Sequence, residues 1–306
     1  AIHNSVEDLC NLDISDRDDD ETGWLHSCSR ETLEKRWEEE KILFSETPRH
    51  PRWKDESFST ALDGLIGAIS ILFDKAMLPV EGLSSVSVKT WKQVQDIVVA
   101  TEERLESQCG RLMGRLDLLI KDLEDEVNDS LIVADLKTGK PPEEELSENV
   151  SRQLLFYRDL MKQNVAEEQA LRAEGWYSSN KSVYRTEGPA ILEEAIQAWG
   201  MMKLTETPFH ATPSEESCSF CEWKAWCPSW WKAKYDGELS HEGMFRDEVV
   251  RLVRFDQESG AALFERTTPI GDEGELRGSD HRFGALLKGT SLEKIRQMGQ
   301  VELDGN

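Results

Sequence analysis

No run of about 18 consecutive apolar residues occurs in this 306-residue chain, so nothing in it reads as a membrane-spanning helix. The N-terminus carries no basic-then-apolar secretory signal either. Cysteine is scarce. Six in a chain of this length are not the disulfide framework of a small secreted domain, and they point to a reducing, intracellular setting, the cytoplasm if the source is prokaryotic. No repeat of roughly 20–50 residues is visible, which excludes solenoids and propellers. Positive charge is in deficit: 36 Lys and Arg face 60 Asp and Glu, a net charge of −24. DNA binders usually carry a basic surface, so this balance argues against general nucleic-acid affinity, although a local cleft of Lys and Arg can sit on an acidic body. Hydrophobic content is somewhat low at 38%, but ten Trp and ten Phe exclude general disorder. The length suits one large domain or two smaller ones. The chain opens on Ala1-Ile2-His3 without an initiator Met and is read as a fragment or a processed product.

The hydrophobic pattern predicts helices over residues 1–10, 31–44 and 59–73, the last with Leu62, Leu65, Ile66, Ile69 and Phe73 on one stripe. An acidic loop at 13–21 and a Pro48/Pro51 connector separate them. Strands are expected over 94–105, 111–121 and 130–137 as an antiparallel meander. A helix at 149–163, a strand at 175–184 and a helix at 189–203 follow. This order gives an α/β class, a central mixed sheet flanked by helices. Beyond Trp231, strands are expected at 248–255, 261–266, 282–287 and 300–303, with a short helix at 291–298. That pattern suggests a small β-barrel of OB type. The expected domains are residues 1–235 and 244–306.

The residues that carry chemistry begin in Leu131-Ile132-Val133-Ala134-Asp135-Leu136-Lys137. Side chains at i and i+2 of a strand share a face, so Asp135 and Lys137 point the same way from an otherwise apolar run. Charge there is costly unless paired or bound to metal. Asp117 lies on the preceding strand, one hairpin away. Two converging carboxylates form an oxygen-rich site for Mg²⁺ or Mn²⁺, and Lys137 can neutralise charge on a phosphoryl group. Spacing alone leaves open a surface ion pair.

Gly114-Arg115-Leu116-Asp117, then Asp135-Leu136-Lys137-Thr138-Gly139, then Gln153 and Tyr157 at helical i, i+4 spacing, resemble the RecB-like branch of the PD-(D/E)XK nuclease superfamily. Thr138-Gly139-Lys140 lacks the P-loop frame. The resemblance covers roughly residues 1–235 and implies a restriction-endonuclease-like core. It implies Asp117, Asp135, Lys137, Gln153 and Tyr157 as catalytic residues. His3 matches the tail of a Gly-x-x-x-His motif whose glycine would precede residue 1, and with the Leu136 carbonyl it becomes a further implied metal ligand. Glu103 sits where such nucleases often carry another acid, with Glu102 as its neighbour.

Cys218, Cys221 and Cys227 form C-x2-C-x5-C followed by Pro228. Three thiolates so spaced, with a fourth ligand, would hold zinc or a [4Fe–4S] cluster. This ending is similar to the iron–sulfur subset of the same nucleases, the AddB-type, CRISPR-associated and exonuclease V-like families, where the cluster is a structural staple. The fourth cysteine of that subset usually lies upstream of the motif histidine. Within this chain the candidates are Cys10 and Cys28. Trp223, Trp226, Trp230 and Trp231 are expected to wrap the cysteines, or else to stack single-stranded bases. Arg152, Arg158 and Lys224, with Lys232 and Lys234, are the expected phosphate contacts. The resemblance thus implies a metal-dependent deoxyribonuclease, an exonuclease acting on single-stranded DNA or unwound ends in repair, recombination or CRISPR adaptation, with a helicase as partner. Two other readings remain: a silent nucleic-acid-binding scaffold, and a zinc or iron–sulfur protein without nuclease activity.

Overall fold

The computed structural model describes residues 1–45, 53–125, 129–201, 211–219, 221, 224, 227–239, 247–270 and 275–303. The chain divides into two compact units, Ala1–Lys203 and Leu204–Asn306. The cysteine segment, Cys218 to Cys227, falls in the second unit.

The first unit opens with helices α1 (Ile2–Cys10), α2 (Trp24–Ser45), α3 (Phe58–Lys75) and α4 (Val88–Ile97). A five-stranded sheet follows, in order β1 (Val98–Glu106), β2 (Met113–Lys121), β3 (Leu131–Lys137), β4 (Leu171–Tyr177) and β5 (Ser182–Thr186). Strands β1 to β3 form the expected antiparallel meander. Helix α5 (Glu148–Lys162) then crosses over so that β4 runs parallel to β3, and α6 (Leu192–Met201) closes the unit. The sheet is mixed and helices cover both faces. Leu118, Ile120, Ile132, Ala134 and Leu136 pack into one core with α1 to α4. On the other face Leu119 and Val133 meet Leu160 and Met161 of α5 and Leu192 of α6. This alternation along β3 puts Asp135 and Lys137 on the α5 side, whereas Asp117 follows Leu116 of the α5-side core and turns to His3 of α1.

Residues 94–97 and 175–184 differ from the sequence expectation, each for a local reason. Residues 94–97 are helical. Val88, Trp91 and Val94 form a buried stripe of three-residue spacing, and the Ser87 hydroxyl caps α4 by accepting from the Thr90 amide at 3.2 Å. The strand expected at 175–184 is two strands, broken by a turn in which Lys181 takes a left-handed φ of 59°. Helix α3 is the one helix among the described residues long and apolar enough to cross a membrane, but Leu65, Ile69, Ile71 and Leu72 are fully buried in the core.

Helix α3 lies directly on the end of the sheet. A Cβ on Gly67 would stand 1.8 Å from the Ser178 carbonyl oxygen, so only glycine permits this approach. The Ser178 amide in turn donates to the Lys137 carbonyl at 3.1 Å, which fixes the end of β3.

The second unit contains the short helices α7 (Glu215–Ser219) and α8 (Pro228–Tyr235), then strands β6 (Val249–Phe255), β7 (Ala261–Ile270) and β8 (Glu275–Leu286), and helix α9 (Thr290–Leu303). The strands make an antiparallel meander of three, and closure into a barrel is not seen among the described residues. Residues 300–303, expected as a strand, continue α9.

Glu174 on β4 is fully buried and carries four contacts. Lys75 reaches both its oxygens at 2.9 and 2.8 Å, Trp176 Nε1 donates at 2.8 Å and Arg185 Nε at 2.9 Å. A buried carboxylate so satisfied ties α3, β4 and β5 together, and removing it leaves Lys75 uncompensated. We expect Glu174→Ala to lower unfolding free energy by about 3–5 kcal/mol in urea denaturation. A loss below about 1 kcal/mol, the worth of an exposed pair, would contradict the packing described.

Candidate active site

The ladder between β2 and β3 runs from Lys121↔Leu131 to Leu118↔Ala134. Continued by one step, it would set Asp117 against Asp135. The Asp117 side chain intervenes instead: its Oδ2 accepts from the Leu136 amide at 2.7 Å. Leu136 enters the site through this N–H, and its side chain is buried in the opposite core. Asp117 is thereby held at the open end of the hairpin with Oδ1 turned outward.

That oxygen faces His3 of α1, whose Nδ1 lies 3.3 Å away. His3, Glu102 and Asp117 offer ligand atoms that all fall within 4.8 Å of one another. Glu102 is the acid the structure assigns to this group. Glu103, one residue on, is exposed and outside it, which corrects the expected position by one. The cause is backbone geometry. Glu102 takes a left-handed φ of 50°, which for a non-glycine residue costs on the order of 1–3 kcal/mol and resets strand alternation.

The electrostatics are those of a crowded anionic site. Burial raises the Glu102 carboxyl above its usual range, and the Asp117 charge adds to the shift. Burial likewise raises Asp135, again with Asp117 adding and Lys137 opposing. For His3, burial lowers the pKa, but the hydrogen bond to Asp117 and the charges of Asp117, Glu102 and Asp135 outweigh it and the net shift is upward.

Lys137 ties Asp135 to α5. Its Nζ stands 2.7 Å from Asp135 Oδ2 and donates to Gln153 Oε1 at 2.8 Å; Gln153 Nε2 donates to the Tyr157 hydroxyl at 3.2 Å. The ammonium lies off the hydrogen-bonding direction of Asp135 Oδ2, so that buried oxygen has no aligned donor. Tyr157 lies against Gly114, where a Cβ would come 2.7 Å from its Cε1. The glycine of Gly-x-x-Asp therefore makes room for the tyrosine of Gln-x-x-x-Tyr. Tyr177 is Lys137's register partner on β4; burial raises its pKa.

Three of the five expected phosphate contacts meet partners of their own, Lys234 donates to the Asp247 carbonyl at 3.0 Å, and Lys232 is exposed. Arg152 pairs with Glu194 at 2.8 Å. Arg158 grips Asp159 at 2.7 Å and donates to the Gly188 and Pro189 carbonyls. Lys224 is buried, 2.7 Å from Asp247, with its ammonium over the Trp230 ring. Trp230 and Trp231 are buried edge to face, a packing role; Trp223 and Trp226 lie outside the described residues. Cys218, Cys221 and Cys227 are partly buried and do not form a second group within the 4.8 Å limit among the described residues. Cys10 is buried in the apolar core, where burial pushes its thiol up to about 12. Cys28 is half-buried, and burial raises its thiol too.

The donor set fits a hard divalent cation. Two carboxylates and an imidazole converge, a buried carboxylate oxygen on Asp135 lacks an aligned donor, and the raised acids show that negative charge there wants neutralising. The comparisons agree with this chemistry. A family profile of the PD-(D/E)XK nuclease superfamily matches residues 2–228. No curated protein matches the chain.

The raised groups set a pH dependence with one sign. Protonated His3 stabilises the metal-free fold, fully below its ordinary 6.5, and that stability is lost as pH rises through the raised folded value. Glu102 and Asp135 act in the same direction, because ionising them in the fold is unfavourable. A cation must displace these protons, so Mn²⁺ affinity measured by calorimetry should weaken as pH falls from about 8 to about 6, approaching about tenfold per unit below the ring's pKa. His3→Gln should bind more weakly and with a flatter profile. Affinity independent of pH would remove His3 from the site.

Proposed function

The chain belongs to the PD-(D/E)XK nuclease superfamily, a superfamily of metal-dependent nucleases, and from that premise we propose that it hydrolyses phosphodiester bonds of DNA, as single strands or unwound ends. The observation that carries the reading is the chain of contacts Asp135–Lys137–Gln153–Tyr157 beside the His3, Glu102 and Asp117 group.

A bound Mg²⁺ or Mn²⁺ would supply Lewis acidity toward the phosphodiester and lower the pKa of its water. His3, Glu102, Asp117 and the Asp135 carboxylate would hold it. Lys137 stands at the mouth of this group, where its ammonium can neutralise charge gathering on the phosphoryl oxygens as the P–O bond breaks. Gln153 accepts from Lys137 and so aims it, and Tyr157 holds Gln153 in turn. Asp117 is fixed at the end of the β2–β3 ladder by the Leu136 amide, with its other oxygen toward His3. Exonuclease action with a helicase partner belongs to the same reading and is supported by the motif resemblance.

Cys218, Cys221 and Cys227 are proposed as ligands of a structural [4Fe–4S] cluster, supported by their spacing. Cys10 and Cys28 are the candidates within the chain for the fourth ligand. Anaerobically purified protein should carry iron and acid-labile sulfide, lost together when Cys221 is replaced by Ser. Zinc in their place would make the site a zinc knuckle.

We expect the protein to degrade end-labelled single-stranded DNA with Mn²⁺ or Mg²⁺ and not with chelator. Lys137→Ala and Asp135→Asn should each lose about 10²–10³-fold or more in rate, with circular dichroism unchanged. A Lys137→Ala protein cutting at the parental rate would sink the assignment. Binding without cleavage by the parent would favour a silent scaffold.

A further inference from the structure

Arg152, Arg158 and Lys224 meet partners of their own, and another cation stands beside the acidic group itself. Arg115 stands two residues before Asp117 on β2, on the same face. It is 63% exposed, yet Glu102 beside it is only 9% exposed. Its Nε lies 2.7 Å from Glu102 Oε2 and donates to the Glu102 carbonyl at 3.2 Å. In the ladder Arg115 sits opposite Arg104, a like-charge pair that would be unfavourable if both side chains stayed. Arg104 turns away toward Met113 Sδ at 3.6 Å, and Arg115 turns toward Glu102.

Two consequences follow from this geometry. Glu102 holds a left-handed backbone, which persists only where the surroundings over-determine it, and the grip on both its carbonyl and its carboxylate supplies that constraint. The guanidinium also has five N–H groups in a planar fork, and this grip uses only the Nε edge. No hydrogen bond from Nη1 or Nη2 is seen among the described residues, and the side chain is exposed. A planar, exposed guanidinium edge is suited to a phosphate diester, which it can meet with two parallel N–H···O bonds.

We propose that Arg115 couples substrate to the metal group: its Nε holds Glu102 toward His3 and Asp117, and its terminal nitrogens take a backbone phosphate of the bound strand. This rests on reading the site as a phosphodiesterase centre. Arg115 is a positioning residue for the cation and a contact residue for the strand. Phosphate contact at the terminal nitrogens immobilises the guanidinium whose Nε holds Glu102, so a strand in place and an ordered metal ligand favour each other.

The test uses the full chain on a Lys137→Ala background, in which the strand survives. Arg115→Ala and Arg115→Lys are compared with that parent. Two quantities are read: Mn²⁺ affinity by calorimetry without DNA, and the salt dependence of binding to a fluorescent single-stranded oligonucleotide with Mn²⁺ present. Arg115→Ala should weaken Mn²⁺ roughly 10–100-fold, as losing an outer partner of a metal ligand does. It should also reduce the slope of log K against log salt by about 0.7, one phosphate contact on a single strand. Arg115→Lys should recover the slope and leave Mn²⁺ binding weak, because one ammonium cannot grip the carbonyl, the carboxylate and a phosphate together. Thermal melting of both variants near the parent's midpoint shows that they fold. Parental Mn²⁺ affinity in Arg115→Ala, or an unchanged slope, overturns the proposal. A parent that binds neither Mn²⁺ nor DNA defeats the proposed function instead, so the two failures are distinguishable.

Discussion

The hydrogen bond from the Leu136 amide to Asp117 Oδ2 stands where the antiparallel ladder between β2 and β3 would otherwise have gone on. A backbone N–H this far into a sheet must find an acceptor. By giving it a carboxylate and not a facing carbonyl, the chain parts two strands without orphaning the donor. Both consequences the site needs come from that exchange. Asp117 is fixed in orientation, with its other oxygen turned to His3, and Asp135 is left at a gap and not in a ladder. The surrounding parts brace the gap. Gly67 lets α3 reach the turn that holds the Lys137 carbonyl, and Gly114 lets Tyr157 settle against β2.

Acidic groups are gathered at a cost, and the structure shows where it falls. Burial and mutual repulsion raise Glu102 and Asp135, and His3 is held toward its charged form by the same field. A fold seeking stability alone would have no use for this arrangement. Its sense lies in a cation that the groups share, and in Lys137, the positive charge set between them and the substrate. Buried polar groups of the Glu174 kind make the contrast clear. There every oxygen has its donor and nothing is left to bind.

Much of this was legible in the sequence because two periodicities carried it. Strand alternation placed Asp135 and Lys137 on one face, and the i, i+4 spacing of Gln153 and Tyr157 placed those two on one face of α5, where Gln153 meets Lys137. The same alternation failed at Glu102, since one left-handed residue inside a strand changes which acid faces the site. It also misread residues 94–97, whose β-branched side chains belong to the last turn of a capped helix. The cationic contacts were illegible for a different reason. Arg152 finds Glu194 42 positions away, and no local pattern reveals a partner so distant. Arg115 lay inside the motif in plain view, but only the contact with Glu102 distinguishes it from any exposed arginine.

The central claim is that the open end of the β2–β3 hairpin is a divalent-cation site. Anomalous diffraction from crystals grown with Mn²⁺ tests it most directly. The account predicts a peak bounded by His3, Glu102 and Asp117 and within coordination reach of Asp135 Oδ2. Crystals whose Mn²⁺ binds elsewhere, or nowhere, with His3 and Asp117 still paired as they are here, would contradict it.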